Sequence, residues 1–177
     1  MSDPNAPYPP PPPYAPPRPA EPYASWSRRV GATLLDFLVL LPGYAVATIG
    51  SVTAQNAVTT NPDGTTTITN GLNLGVGLGL AFAAGLATFI FALWNQVFRQ
   101  GRRGATIGKQ MVGILVISEF DGRPIGAMLT FVRSLAHILD SLSCYIGYLW
   151  PLWDAKKQTF ADKIMGTAVL HLPDVRF

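Results

Sequence analysis

Two segments of the chain share a spacing of charged residues that could place an ionic site inside a helical protein. Arg29 precedes Asp36, and Arg133 precedes Asp140, by seven positions, with an alanine three residues after each arginine. Seven residues make almost two helical turns, so both charges of each segment lie on one helix face. Groups of this kind form ion pairs, or bind a cation or a proton.

The apolar surroundings of Asp36 make its partner the central question. An arginine at a membrane surface can extend its charge to water, whereas an aspartate about 10 Å deeper cannot. An ionised carboxylate at such depth costs about 2.5–3.5 kcal/mol. In a structural interpretation, Asp36 pairs with Arg133 and Asp140 pairs with Arg29, which fixes helix register. In a functional interpretation, Asp36 titrates or binds a cation within a polar cavity.

Composition indicates a small membrane protein. The chain has 177 residues, of which 49% are apolar and 13% charged, about half the charge of a soluble domain. One cysteine and two histidines argue against a disulfide framework and a metal site. The net charge of +3 is too small to suggest nucleic-acid binding. No candidate nucleophile stands in a suitable turn, so we expect neither an enzyme nor a cofactor.

The elements that must position these charges are apolar helices. Residues 30–52 and 72–98 are each long enough to span a bilayer. Between them, residues 53–71 are rich in Thr and Asn and are typical of a loop, with a short hairpin through residues 65–69. A third hydrophobic element, residues 126–153, either spans or re-enters the membrane. The predicted fold is an all-α membrane protein with a small cytoplasmic β-strand pair.

The N-terminal residues 1–25 differ from the rest of the chain. Eleven of the sixteen prolines fall between Pro4 and Pro22, so this segment is predicted to be extended or disordered. Such a tail is either solvated or recognised by a protein partner with an aromatic groove. Basic residues follow the second apolar segment and none occurs in the Thr-rich loop, which predicts a multi-pass protein of the plasma or inner membrane with a cytoplasmic N-terminus.

Two further motifs have membrane interpretations. Four basic residues near the end of the second span are predicted to face anionic lipid headgroups: Arg99, Arg102, Arg103 and Lys109. Residues 103–110 fail the phosphate-loop pattern at two positions, which argues against nucleotide binding. Gly75 and Gly79 are spaced for close helix packing, within the chain or in a homo-oligomer.

Several of these motifs together resemble the RDD family of membrane proteins over about residues 25–170. The resemblance rests on Arg29 and Asp36, the segment G-x-T-x-G-K at residues 104–109, Arg133, and T-x-x-D-K-x-x-G-T at residues 159–167. It implies that Asp162 is the second characteristic aspartate, with Asp140 the alternative. It also implies that residues 111–118 pair with residues 166–170, within a membrane domain of residues 26–172 followed by a short tail, 173–177.

The resemblance leaves function open between two classes. Transport, including cation/proton exchange, has been proposed for some members of the family, and assembly roles for others. The leading hypothesis is a small cation or solute transporter in which Asp36 is the coupling carboxylate. The alternative is an accessory or scaffold subunit that recruits partners through its Pro-rich tail. Both hypotheses include the lipid bilayer as a partner.

Overall fold

The computed structural model describes residues 23–171, with two long helices joined by a short hairpin and followed by shorter helices and strands. The Pro-rich tail and the predicted tail of residues 173–177 lie outside the described residues, apart from Tyr23 to Ser25. The elements in chain order are α1 (Trp26–Gln55), β1 (Val58–Thr60), β2 (Thr66–Ile68), α2 (Gly71–Leu93), a π-helical segment (Trp94–Arg99), α3 (Gln100–Arg103), α4 (Ile107–Met111), β3 (Ile114–Ser118), α5 (Gly126–Leu142), α6 (Ile146–Leu149), a 3₁₀ turn (Trp150–Leu152), α7 (Phe160–Met165) and β4 (Thr167–His171).

Two helices are long and apolar enough to cross a membrane, and their surfaces support that function. Trp26–Gln55 and Gly71–Arg103 are the candidate spans. Only 11% of the most apolar window of each helix is buried within the protein, whereas the core helix of a soluble protein would be mostly covered. Phe82 is 73% exposed and Phe89 is 64% exposed, as expected for side chains that face lipid. The two predicted spans therefore correspond to α1 and α2.

Glycines set the close packing of α1 against α2. A Cβ atom on Gly77 would lie 2.5 Å from the Ala54 nitrogen, and one on Gly50 would lie 2.8 Å from the Gly77 oxygen. The predicted contact through Gly75 and Gly79 is wrong for packing within the chain, because a Cβ at either position would meet no atom within 4 Å. Two positions correspond to about 200° around a helix, so these two glycines face away from α1.

The loop between the spans forms the expected hairpin. Strands β1 and β2 pair antiparallel, with Thr59 opposite Thr67. Asp63 stabilises the turn, because its Oδ1 accepts hydrogen bonds from the nitrogen and the hydroxyl of Thr65 at 2.9 and 2.7 Å. The hairpin thus closes the connection at one end of the α1–α2 pair.

A second sheet lies at the opposite end of the α1–α2 pair, which we call the sheet end. Strands β3 and β4 are antiparallel, with Val116 opposite Val169, as the resemblance implied. Tyr23 bridges to Leu170, and the Ala24 nitrogen donates to the Val169 oxygen at 2.8 Å. The small core at this end contains Ala24, Ala32, Ile114, Val116 and Val169. The segment that follows the Pro-rich tail is therefore held on the open edge of β4.

The third hydrophobic element begins and ends at the sheet end. It follows β3 and precedes β4, and these two strands pair with each other. Helix α5 has 17 residues and is about 25 Å long. It ends where Cys144 and Tyr145 adopt left-handed backbone angles, with φ of 53° and 62°. The chain thus leaves this element on the same side of the protein at which it entered it.

Candidate functional site

Two arginines from distant segments converge on Asp162 at the sheet end. Arg29 Nη1 lies 2.7 Å from Asp162 Oδ2, and Arg133 Nε and Nη2 lie 2.9 and 2.6 Å from Oδ1. The Asp162 side chain is fully buried, and those of Arg29 and Arg133 are 13% and 6% exposed. One carboxylate therefore joins α1, α5 and α7.

The local sequence of α7 holds Asp162 in place. Thr159 is the N-cap: its hydroxyl accepts from the Asp162 nitrogen at 3.1 Å, while Asp162 Oδ2 accepts from the Thr159 nitrogen at 3.2 Å. This reciprocal capping box begins the helix. The Thr167 hydroxyl donates a further hydrogen bond to Oδ1 at 3.0 Å. Asp162 is thus a helix cap and the centre of an ion triad at once.

Asp162 carries a permanent negative charge. Burial alone would raise its pKa, but the guanidinium groups of Arg133 and Arg29 hold the pKa well below its usual range. A group of this kind does not exchange a proton near neutral pH. It supplies the fixed counter-charge of the triad.

Arg29 makes contacts beyond Asp162. Its Nη2 donates to the carbonyl oxygen of Lys157, which a left-handed backbone (φ 55°) directs inward. Its Nε is buried and has no hydrogen-bond partner within residues 23–171. The Arg29 guanidinium therefore connects α1 to the segment that precedes α7 as well as to α7 itself.

Asp36 is satisfied by neutral donors. Its Oδ1 accepts from Asn95 Nδ2 at 2.9 Å and from the Gly108 nitrogen at 2.8 Å, and its Oδ2 accepts from the Thr106 hydroxyl at 2.5 Å. The Ile107 nitrogen donates to Asn95 Oδ1 at 3.0 Å. Asp36 is 4% exposed, so these groups replace water around its carboxylate. The segment of residues 104–109 wraps around a carboxylate of its own chain.

Gly108 lies in this segment because the backbone approaches α1 very closely. A Cβ atom on Gly108 would lie 2.1 Å from the Ala32 oxygen and 2.9 Å from the Asp36 Cγ. The backbone carbonyl of Ala32 thus faces Gly108, and a side chain at position 108 would displace α4 from α1. The absence of a side chain here allows the Gly108 amide to reach the buried acid.

Asp140 has a third set of partners. Its Oδ2 lies 2.6 Å from His137 Nδ1, and its Oδ1 accepts from the Phe160 nitrogen at 3.0 Å. Gly147 packs against it, since a Cβ there would lie 2.1 Å from Asp140 Oδ1. The Tyr148 ring stacks on His137 with centroids 5.5 Å apart. Asp140 therefore holds the turn after α5 and the first residue of α7.

The ion pairs expected from the repeated pattern do not form. Asp36 does not pair with Arg133, and Asp140 does not pair with Arg29; both arginines contact Asp162 instead. The physical reason is that α7 packs against α5 and brings the Asp162 carboxylate within hydrogen-bond distance of both guanidinium groups. Of the five candidate residues, the structure joins Arg29, Arg133 and Asp162 directly, and places Asp36 and Asp140 in separate hydrogen-bonded sites.

The predicted lipid-headgroup cluster divides into an inner and an outer part. Arg99 is buried and its Nη1 donates to the Ala105 oxygen at 2.6 Å, while its Nη2 bonds Gln110. Lys109 directs its amine to Gln100. The assignment is therefore wrong for Arg99 and Lys109, because protein groups bind their charges. Arg102 and Arg103 are exposed and remain candidates for headgroup contact.

Lys109 has an unusual electrostatic environment. Burial, together with the nearby charges of Arg133 and Arg29, lowers its pKa to about 7, against the opposing effect of Asp36 and Asp162. The Gln100 carbonyl to which it donates is neutral. Lys109 therefore changes charge near neutral pH, within range of both buried aspartates.

The sequence alone did not indicate the three groups that donate hydrogen bonds to Asp36: Asn95, Thr106 and the Gly108 amide. Asn95 is a polar side chain near the end of an apolar span, and that position was a usable signal. Within the described residues, no three His, Cys, Asp or Glu side chains are grouped as a metal site would need.

Comparison with known proteins shows that the chain is similar to two mycobacterial proteins. It is 46% identical over 98 residues to the proline-rich antigen of Mycobacterium leprae. The aligned region covers 55% of this chain and 39% of that protein. It is 48% identical over 82 residues to the proline-rich antigen homolog of Mycobacterium tuberculosis. Here the aligned region covers 46% of this chain and 34% of that protein. The chain thus spans well under half the length of these relatives. No solved structure matches it.

The family comparison covers most of the described structure. The sequence model of the RDD family matches residues 23–166, which include Arg29, Asp36 and Asp162. The matched range takes in both candidate spans, the ion triad and the Asp36 site. The chain belongs to the RDD family of membrane proteins.

Proposed function

We propose that this chain is a membrane-anchored scaffold that presents its Pro-rich N-terminal segment to a soluble protein partner. The observation that carries the proposal is the saturation of its buried acids. Asp36 accepts three hydrogen bonds, and Asp162 accepts from two guanidinium groups, a hydroxyl and an amide. A coupling carboxylate for transport needs an oxygen that can bind a cation, and these oxygens are occupied by protein donors.

The attachment of the tail supports the same function. Tyr23 and Ala24 pair with β4, so the Pro-rich segment leaves the protein from a fixed point on the sheet end. The ion triad joins α1, α5 and α7, and Thr167 of β4 donates a hydrogen bond to its Asp162. A rigid base of this kind suits a protein that presents an extended segment to a partner, because it fixes the point at which the Pro-rich segment leaves the membrane.

Charge distribution supports a cytoplasmic position for the sheet end. No basic residue lies between Asn56 and Asn70, at the hairpin end. Six basic residues lie near the sheet end of α1 and α2: Arg28, Arg29, Arg99, Arg102, Arg103 and Lys109. Basic residues favour the cytoplasmic flank of membrane spans. On this basis the tail meets cytoplasmic partners, and aromatic-lined grooves that bind polyproline II segments are the matching chemistry.

Site-specific photocrosslinking tests the scaffold proposal. A photoreactive residue at Tyr14 in the tail is compared with one at Thr65 in the hairpin at the opposite end, in native membranes. We expect Tyr14 to crosslink a soluble protein and a synthetic peptide of residues 4–22 to compete for that product, whereas Thr65 does not give it. Equal labelling from both positions, or no effect of the peptide, contradicts the proposal.

Lys109 favours a second candidate function, cation/proton exchange. Its amine has a pKa lowered to about 7 by burial, and the charges of Asp36 and Asp162 act on it. In proteoliposomes that contain Na⁺ or K⁺, an exchanger loses its pH-driven flux on Lys109→Gln and keeps most of it on Arg123→Gln, a distant exposed control. Flux at the level of protein-free vesicles for the wild type rejects this candidate and leaves the scaffold.

A further inference from the structure

A cleft at the start of α1 is not used by either proposed function. It has a volume of about 550 Å³ and lies between the first turns of α1, the end of α4 and the end of β4. Ser27, Arg28 and Gly31 form one wall, residues 110–113 form the second, and His171 completes the lining. No acidic side chain of residues 23–171 lines it. Its position at the entry of α1 into the apolar layer places it at the level of lipid headgroups.

The polar part of the cleft suits an anion. Arg28 is exposed, and its Nη1 donates to the Val112 oxygen at 3.3 Å, which holds the guanidinium over the cleft. His171 Nδ1 lies 3.0 Å from the Gly113 oxygen and so carries the proton in that contact. Arg28 supplies the positive charge of the cleft.

The start of α1 adds to this positive potential. Ser25, the N-cap, makes no side-chain capping bond, and the first turn contains no acidic residue. The amides of this turn and the positive end of the helix dipole therefore have no acid within the turn to neutralise them. The exposed hydroxyl of Ser27 supplies one more donor at the same place.

The cleft continues into an apolar path along α1. Gly31, Leu34 and Leu38 follow helical spacing on one face. Leu34 and Leu38 are 59% and 54% exposed, and a Cβ on Gly31 would meet no atom within 4 Å. Met111, which is 64% exposed, flanks the same path. A charged recess that opens onto an exposed apolar strip is the shape of a phospholipid site, whereas a soluble phosphate ester needs only the recess.

We propose that this cleft binds one anionic phospholipid, with its phosphate group on Arg28 and Ser27 and an acyl chain along Gly31 and Leu34. The chemistry is a phosphate diester that carries net negative charge, and the depth of the cleft at the membrane entry of α1 selects a lipid over a free anion. The site lies apart from the buried triad, and its occupancy does not depend on whether the chain recruits a partner.

Native mass spectrometry of the full chain in detergent, with equal amounts of phosphatidylglycerol and phosphatidylcholine, tests the proposal. We expect the first lipid retained by the wild type to be phosphatidylglycerol. Arg28→Gln is expected to weaken its retention about fivefold, the effect of one lost charge contact. Arg123→Gln, an exposed arginine away from the cleft, is the matched control and keeps wild-type retention.

Two further arms distinguish a lipid from other sources of phosphate. Gly31→Leu places a side chain in the apolar path, where its Cβ would meet no atom within 4 Å, and it is expected to reduce retention of both lipids, with unchanged circular dichroism. Millimolar glycerol phosphate is expected to leave phosphatidylglycerol bound. Wild-type retention in Arg28→Gln, or equal loss in Arg123→Gln, overturns the proposal. Displacement by glycerol phosphate together with no effect of Gly31→Leu also overturns it, in favour of a soluble phosphate ester.

Discussion

Replacement of the two buried aspartates by asparagine should have very different costs, although both acids are nearly inaccessible to water. Asp162→Asn removes the single negative charge that two guanidinium groups share. Loss of one partner from a buried ion pair costs about 3–5 kcal/mol, because the remaining charge is left without compensation. The variant leaves both Arg29 and Arg133 in that state, so we expect a loss of about 4 kcal/mol or more.

Asp36→Asn removes a charge from a site whose donors are all neutral. The amide oxygen can still accept from Asn95 and the Gly108 nitrogen, and the Thr106 hydroxyl can rotate to accept from the new NH₂ group. The weaker hydrogen bonds are offset because an ion is no longer buried. We therefore expect a loss of about 1 kcal/mol.

Thermal unfolding of the purified protein in detergent measures the difference. For a chain of this size about 1 kcal/mol shifts Tm by about 2–4 °C. The expected decrease is thus about 8–16 °C for Asp162→Asn and about 2–4 °C for Asp36→Asn. Glu119→Gln, which breaks a partly exposed pair with Lys156, is the control and should change Tm by less than about 4 °C. A decrease for Asp36→Asn equal to that for Asp162→Asn would refute the reasoning.

Three other expectations follow from the contacts described. The unfolding free energy should rise with pH between about 7 and 10.5. In that range the unfolded chain keeps a proton on Lys109 that the folded chain has released. A pH series of denaturation curves measures the rise, and Lys109→Met should remove it. Gly77→Leu should separate α1 from α2 and lower Tm, whereas Gly79→Leu should leave the monomer fold intact and, if copies associate through this face, reduce dimer crosslinking. Gly108→Ala should destabilise the protein by more than about 2 kcal/mol, measured by the same melting assay, because its Cβ overlaps the α1 backbone.

The helices and the hairpin could be predicted from sequence because their causes are local. Apolar runs of more than twenty residues require a membrane span, and the Asn61-Pro62-Asp63-Gly64 segment requires a turn. The pairing of β3 with β4 came from the family resemblance, since two five-residue apolar strands carry no local information about their partner.

The partners of the charged residues could not be predicted for the opposite reason. Arg29 and Asp162 are 133 positions apart, and helical periodicity relates residues only within one element. The repeated R-x-x-A-x-x-x-D pattern suggested reciprocal pairs between two helices. A six-residue helix, α7, instead brings a carboxylate between them, and nothing in its short sequence specifies that position.

The donors to Asp36 illustrate how backbone groups escape prediction. Two of its three donors are side chains, but the third is the amide of Gly108, whose residue type shows only that space is limited. The sequence identified the glycine and the acid separately. Only their contact shows that the glycine-rich segment binds an acid of the same chain.

The π-helical segment at the end of α2 makes the chain length there a constraint on its evolution. It contains Asn95, whose side chain donates to Asp36, and it is followed directly by α3. In α3, a Cβ on Gly101 would lie 2.5 Å from the Ala127 backbone. Deletion of one residue between these points would close the π turn to regular α geometry and change the position of Asn95 relative to Gly101. Among relatives, we expect insertions and deletions to collect in the hairpin of residues 61–65 and to be absent between Asn95 and Gly101.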